Sequence, residues 1–268
     1  MSYLSYTKFI NVKRLSVVCF LILCRLCVFG QTEAEKFKEK LLNNKVQYKE
    51  LAAKELKADL VKHDFSKLFI HADNSIVYGF IGDSYQRIRV KIIKVTKDSL
   101  LVDTYHVYGK SMVKNNIDEF TGAIKISNIR RLKNMSYGVD DEYKNEGLKG
   151  EYIILADYAF SENKGQSHSG TFKGVCESDF YLDKNSKVHY DDIDLGSSDR
   201  FVNNQFVGQW ISYDDKLVKR CNWGDFRIPN SGDLDIGAGE FSPDDKYLRY
   251  GWQSVRDNDN AENAKWWK

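Results

Sequence analysis

The sequence predicts a mainly β protein, in which an N-terminal helix precedes an antiparallel β-barrel or sandwich and a short helix follows it. From Phe69 onward, apolar and polar residues alternate in short segments rich in Val, Ile, Tyr and Phe, as they do in half-buried strands. Clusters of Gly, Asn, Asp and Ser separate these segments at roughly 8–12 residues, which is the spacing of sandwiches and barrels. We favour the barrel because glycines recur in or beside the expected strands, where they allow a strand to bend.

Residues 1–30 have the pattern of a signal peptide. Basic residues precede an apolar run over 15–23, and small or modest residues stand at 28–30, before the expected cleavage site. The run is too short for a membrane-spanning helix, which needs about 20 apolar residues, and Arg25 interrupts it. We therefore expect export to the periplasm or the cell exterior, with no transmembrane span after cleavage. A lipid anchor on Cys24 or Cys27 is disfavoured. A lipoprotein signal has a small residue before the cysteine, whereas the bulky Leu23 and Leu26 stand there.

Residues 31–65 form an expected helical segment. The stretch 32–63 has no Gly or Pro and is rich in Ala, Leu, Glu and Lys, which are strong helix formers. Thr32 and Glu35 resemble a capping box. Apolar residues recur at near-helical spacing, and we expect this apolar face to pack on the domain that follows.

Residues 66–255 form the expected β-rich domain, with a split near 135–150 as the alternative. Along 87–92, basic residues alternate with Ile and Val, which gives one solvated and one packed face. The expected strands are 76–81, 86–95, 100–108, 123–129, 152–160, 175–182 and 206–213.

Three segments share the pattern Phe-x-Gly-x-apolar: 120–124, 172–176 and 206–210. Residues two apart point to the same face of a strand, so the phenyl ring and the bare glycine backbone lie side by side. Glycine also allows the strand to bend as a closing sheet requires. The repeat therefore indicates architecture and no chemistry.

Two resemblances concern the family. Gly208-Gln209-Trp210 is similar to the G-x-W motif of lipocalins, but that motif opens the first strand there and lies late in this chain, so what it implies is a lipocalin-like barrel in general. The segments 79–88 and 221–229 resemble uncharacterised exported bacterial proteins. That resemblance implies export and a β-rich domain, and it assigns no activity or site residue.

The charge balance gives no support for nucleic-acid binding. The whole chain has 40 Lys+Arg and 38 Asp+Glu. The expected leader contains four basic residues and no acidic residue, so its removal leaves 36 against 38, a net charge of −2. Nucleic-acid binding requires a basic face.

Cys176 and Cys221 are the cysteines that remain after the leader is removed. In an oxidising compartment such a pair is commonly a disulfide, and we expect the bridge. Two buried free thiols are the alternative, because spacing in the sequence does not show that the side chains meet.

The C-terminal part carries helix signals. Ser242-Pro243-Asp244-Asp245 has the residues of a helix start, and Gly251 those of a helix end. The tail 256–268 is polar until Trp266-Trp267, and we expect it to be flexible.

Two groups of residues near the C-terminus are the candidate sites. Aromatic residues make up 13% of the chain, and tryptophan rings either stack on a flat ligand or fill a core. The candidate ligand-binding residues are Trp210, Trp223, Asp225 and Arg227.

Carboxylates in a Gly-rich loop suit Ca²⁺, although the EF-hand spacing is not met and solvated turns would use the same residues. The candidate metal ligands are Asp233, Asp235 and Glu240.

The sequence contains none of the short motifs of nucleophilic or zinc-dependent hydrolases and identifies no catalytic residue and no cofactor besides the Ca²⁺ considered above. We therefore lean against an enzyme and expect a non-enzymatic binding module for an apolar small molecule, a carbohydrate or a protein partner. Two alternatives are a secreted hydrolase that uses the carboxylates of 225–240, and a structural envelope protein that docks through residues 32–63.

Overall fold

The computed structural model describes residues 31–43, 49–199, 201–258 and 265–268. The signal peptide expected at 1–30 lies outside the described residues. From Glu33 onward the chain forms one compact unit. Among the described residues, no helix has the length and apolar character needed to cross a bilayer.

Ten strands dominate the described structure. They are β1 (Leu51–Glu55), β2 (Val77–Ile81), β3 (Gln86–Lys97), β4 (Thr104–Val113), β5 (Asn116–Leu132), β6 (Gly150–Glu162), β7 (Gly170–Leu182), β8 (Val188–Tyr190), β9 (Asn203–Ser212) and β10 (Val218–Asp225). The α-helices are α1 (Glu33–Leu42), α2 (Lys57–Leu60) and α3 (Gln253–Arg256), and 3₁₀ turns span Leu68–Ile70, Asn74–Ile76, Val139–Asp141 and Asp245–Tyr250.

Eight of the strands close into a ring. β2, β3, β4, β5, β6, β7, β9 and β10 pair in that order, each antiparallel to the next, and β10 pairs back with β2. β1 pairs with the end of β5, and β8 pairs with β7. The antiparallel barrel expected from the sequence is confirmed, and strands from both sides of 135–150 belong to the same sheet.

Aromatic side chains fill the barrel interior. Phe206 and Trp223, neighbours across β9 and β10, stack with their ring centroids 4.7 Å apart, and Tyr158 meets both rings edge-on at 5.3 Å. Phe120 and Phe160 stack in the same interior at 5.2 Å. The inside of the barrel is thus a packed core, as in small barrels generally.

Glycines let neighbouring strands of the ring approach closely. Gly174 and Gly208 lie directly opposite each other on β7 and β9. A Cβ on Gly174 would stand 2.2 Å from the carbonyl oxygen of Val207, well inside van der Waals contact. The glycines of the Phe-x-Gly repeat therefore mark close backbone contacts, while Phe120, Phe172 and Phe206 are all buried.

The helix expected over 31–65 is only partly correct. Glu33–Leu42 is helical, but Leu51–Glu55 forms β1 and Lys57–Leu60 is a single helical turn. Leu51 pairs with Leu132 and Glu55 with Arg130, so backbone pairing with β5 overrides the local helix propensity. Strands β8 and β10 were not expected from the sequence.

Helix α1 packs on the outside of the barrel. Its Ala34 and Leu41 are buried against Ile153, Leu155 and Val175, which point outward from β6 and β7. The apolar face of the helix is therefore covered by the barrel, as the sequence predicts.

Glu33 fixes the start of α1 to β10. Its carboxylate forms a bidentate ion pair with Arg220, with N···O distances of 2.7 and 3.0 Å, and accepts hydrogen bonds from Asn222 and Asn230. Burial raises the pKa of Glu33, but these hydrogen bonds outweigh it and leave the pKa below its ordinary value. A carboxylate in the first turn also interacts favourably with the helix dipole.

The C-terminal segment covers another part of the outer wall. Asp244 caps the 3₁₀ turn Asp245–Tyr250, and Gly251 ends it with φ 95°. The short C-terminal helix is confirmed, although the cap is Asp244 and not Ser242. Phe80 and Trp252 are buried in a separate apolar cluster beneath this segment.

In the expected flexible tail, 259–264 lie outside the described residues, and the rings of Trp266 and Trp267 contact Arg89 and Lys91, respectively.

The expected disulfide is wrong, because Cys176 and Cys221 are both buried free thiols. Strand β9 lies between their strands: Cys176 pairs with Phe206, and Cys221 pairs with Gly208. Two strand spacings amount to about 9.6 Å, whereas a disulfide requires Cα atoms within about 7 Å.

The close contact at Gly174 predicts a large effect of one added methyl group. Gly174→Ala should lower the free energy of unfolding by about 2–3 kcal/mol, because the new Cβ would displace the β9 backbone. Gly165→Ala is the matched control, since its Cβ would meet only the Asn163 side chain at 3.4 Å. Urea denaturation of the two variants measures the difference, and equal stabilities would contradict the close approach.

Candidate functional site

Trp210 and Trp223 belong to the barrel core. They are 6% and 3% exposed. The indole Nε1 of Trp210 donates to the buried carboxyl of Glu162 at 2.9 Å. Trp223 stacks on Phe206, so both rings serve the packing that the sequence analysis gave as the alternative to ligand stacking.

Asp225 lies in the barrel wall near Trp223. Its Oδ2 accepts hydrogen bonds from Tyr190 Oη at 2.9 Å and Asn204 Nδ2 at 2.7 Å. Burial raises the pKa of Asp225 to about 7, although these hydrogen bonds lower it. Asp225 and Trp223 line a small pocket of about 30 Å³.

The remaining predicted site residues stabilise a loop outside the barrel. Arg227 pairs with Asp235, with an N···O distance of 2.7 Å, and donates to the backbone carbonyl of Gly237. Asp233 pairs with Lys246, and Glu240 is exposed. Within the described ranges, no group of three or more His, Cys, Asp or Glu side chains is placed to hold a metal ion.

A much larger cavity, which we call the acidic cavity, lies outside the barrel wall. Its volume is about 920 Å³, within the range of small-molecule sites. Helix α1, the outward faces of β6 and β7, and the segments 134–136, 191–199 and 201–202 surround it. This site was not expected from the sequence.

Carboxyl groups dominate the polar lining of the acidic cavity. The described acidic residues that line it are Glu151, Glu177, Asp179, Asp191, Asp194 and Asp199, whereas the described basic residues are Lys40 and Lys49. The first four acids are each less than 9% exposed. Buried charges are costly unless they are paired, so this surplus of carboxyls requires either protons or a cation.

Lys49 bridges two of these acids. Its Nζ donates to Glu177 Oε1 at 2.6 Å and to Asp179 Oδ2 at 2.5 Å. Burial lowers the pKa of Lys49, but the attraction of both carboxylates outweighs it and raises the pKa above its ordinary value. Burial raises the pKa of Asp179 despite the attraction of Lys49. The other oxygen of Asp179, Oδ1, is buried and has no hydrogen-bond partner.

Glu151 and Asp191 form a second group in the cavity. Glu151 Oε2 accepts a hydrogen bond from the backbone N–H of Ser136 at 2.6 Å. Burial raises the pKa of each carboxyl to about 7, and the negative charge of Glu151 also raises the pKa of Asp191.

One wall of the acidic cavity is apolar. Phe37 and Leu41 of helix α1, Leu132 at the end of β5 and Phe201 before β9 line it. The arrangement suits a molecule with a positive charge and an apolar body, because each part finds a complementary surface.

The raised pKa of Glu151 predicts a pH-dependent stability. Between pH 4.5 and 7 the unfolded chain has lost the Glu151 proton while the folded chain keeps it, so stability falls as the pH rises through this window. Asp191 and Asp225 contribute to the same dependence, so Glu151→Gln should weaken it without removing it. The variant should gain about 1–2 kcal/mol relative to the wild type by pH 7, after allowance for solvent screening.

Thermal unfolding of both proteins from pH 4 to 8 measures the difference. Glu240→Gln, at an exposed glutamate, is the control and should show no such gain. A constant difference between Glu151→Gln and wild type over the whole range would contradict the proton at Glu151.

Comparison with protein-family models, with curated proteins and with solved structures finds no match to this chain. The functional conclusion therefore depends on the geometry and charge of the site itself.

Proposed function

We propose that this chain is an exported, non-enzymatic binding module whose ligand is an organic cation with an apolar body. The acidic cavity is the binding site, and the pattern of residues 1–30 supports export. The observation that carries the proposal is the surplus of buried carboxyls in an open cavity of about 920 Å³.

The unpaired acidity supports a cationic ligand. Lys49 neutralises only part of the charge that Glu177 and Asp179 can carry, and Asp179 Oδ1 has no partner. An ammonium or guanidinium group would supply charge-assisted hydrogen bonds to such an oxygen, and these are about twice as strong as neutral ones.

The packed barrel core supports a site outside the barrel. Trp210 and Trp223 are buried among other aromatic rings, and the pocket beside Asp225 holds about 30 Å³. The acidic cavity, at about 920 Å³, is about thirty times larger and accommodates a small organic molecule.

Matched probes test the charge requirement. We expect 2-phenylethylamine to bind at least about tenfold more tightly than 2-phenylethanol or phenylacetate, because a charge-assisted hydrogen bond contributes about 1.5–3 kcal/mol. Affinity for the amine should rise between pH 6 and 8 as Glu151 and Asp191 ionise. Isothermal titration calorimetry measures each affinity.

Two variants locate the site. Asp179→Asn should weaken amine binding by about tenfold or more, whereas Asp233→Asn, which neutralises an exposed carboxylate paired with Lys246, should leave it unchanged. Glu177→Gln provides a second variant if Asp179→Asn unfolds. Equal affinity of all three probes, or unchanged binding by the cavity variants, would overturn the proposal.

A second candidate function, hydrolysis, is favoured by Glu151 and Asp191, two buried carboxyls that both line the acidic cavity and whose pKa values burial raises to about 7. Carboxyl pairs that share a proton can divide the roles of general acid and general base. If the chain is a hydrolase, 4-nitrophenyl glycosides should release nitrophenol with an optimum near pH 7, and Glu151→Gln should abolish the release. Release at the buffer rate in the wild type would exclude these substrates, and release that survives Glu151→Gln would exclude this pair.

A further inference from the structure

The turn between β3 and β4 exposes three consecutive large apolar side chains. Leu100, Leu101 and Val102 are 87%, 59% and 51% exposed. We call residues 98–103 the hairpin tip. Single exposed apolar residues are ordinary, but a run of three is a liability for a soluble surface unless it serves a function.

The hairpin tip is held in a defined conformation. Asp98 Oδ1 accepts hydrogen bonds from the backbone N–H groups of Leu100 and Leu101 at 2.7 and 2.9 Å, and Asp98 Oδ2 contacts His106 Nε2 at 2.7 Å. The backbone bonds Asp98 N–H to Thr104 O and Thr104 N–H to Leu101 O close the turn. The apolar side chains are therefore presented on a fixed backbone.

Three lysines lie near the base of the hairpin tip, which itself contains two acidic residues, Asp98 and Asp103. Lys57 pairs with Asp103 at 2.7 Å, Lys125 is exposed on β5 directly opposite Thr104, and Lys97 precedes Asp98 in the chain. Lys97 Nζ donates to the carbonyls of Val61 and His63. Cations below an apolar tip would lie at the level of lipid headgroups if the tip entered a bilayer.

The hairpin tip is small and convex. A stable protein interface buries about 800 Å² on each partner, far more than three side chains provide. Shallow insertion into a membrane requires only a modest apolar area together with cations that meet anionic lipids. The size and charge of the tip therefore favour a lipid surface over a protein partner.

We infer that the hairpin tip inserts into the interface of an anionic lipid bilayer, with Leu100, Leu101 and Val102 among the acyl chains and the neighbouring lysines among the headgroups. The tip thus holds the protein at a membrane surface as a peripheral protein. This role is independent of any ligand in the acidic cavity, which is lined by other residues.

Vesicle cosedimentation tests the inference. The wild type should bind vesicles of phosphatidylcholine with phosphatidylglycerol, and should bind more weakly to phosphatidylcholine alone and at high salt, where charges are screened. Leu100→Ser combined with Leu101→Ser should weaken binding by about tenfold or more, since each buried leucine contributes strongly to transfer.

The matched control is Leu217→Ser combined with Val218→Ser, which removes two adjacent apolar residues that are 52% and 59% exposed in the β9–β10 region. It should bind vesicles as the wild type does. Lys125→Gln should weaken binding to anionic vesicles only. Absence of wild-type binding, or equal loss in the tip and control variants, would overturn the inference.

Sedimentation velocity distinguishes a second copy as the occupant. The wild type and the Leu100→Ser, Leu101→Ser variant should sediment alike in the absence of vesicles. A wild-type oligomer that the variant dissociates, without vesicle binding by the wild type, would assign the tip to self-association and overturn the lipid proposal.

Discussion

The pairing of β10 with β2 is the interaction on which the rest of the structure depends. It joins Cys221 to Ile81 and Asp225 to Val77, and so turns a meander of strands into a ring. A closed ring has an inside, and the aromatic side chains fill it. The glycines at 174 and 208 permit the close strand contacts within this ring, so the same residues that shape the wall also leave no room in it for a ligand.

Because the interior is packed, the chemistry of the chain lies on the outer wall. Outward positions on β6 and β7 carry both apolar residues and carboxyls. Helix α1 covers the apolar part and its Glu33 anchors it to β10. Together with the segments 134–136, 191–199 and 201–202, the helix encloses the carboxyls beside it, and the resulting loss of solvation raises the pKa values of Glu151, Asp179 and Asp191.

Much of the fold could be predicted from the sequence, because a strand with one packed face has a period of two that local patterns show. The expected strands recur as β2 to β7 and β9, with shifted ends. Leu51–Glu55 was predicted as helix because local propensity does not include its pairing with β5, which lies about 75 residues further along the chain. Strand β10 was not predicted because its residues 221–225 include Gly and Asp and show no clear alternation of apolar and polar side chains over several residues.

The site was less predictable for the same reason. Glu177 and Asp179 alternate with the inward-facing Ser178 and Phe180, as residues of a solvated strand face would, but segments distant in the sequence bury them. The sequence left Trp210 and Trp223 open between a core and a ligand-binding role, because tryptophan in a strand is compatible with both.

The distance along the chain between β2 and β10 has a consequence for folding kinetics. The hairpins from β2 to β7 join near neighbours, but ring closure joins residues about 140 positions apart, and contacts of such high sequence separation form slowly. Until they form, β2 and β10 each have an unpaired edge that can recruit strands of another chain. The nascent protein is therefore most prone to aggregation during the interval before the last pair of strands meets.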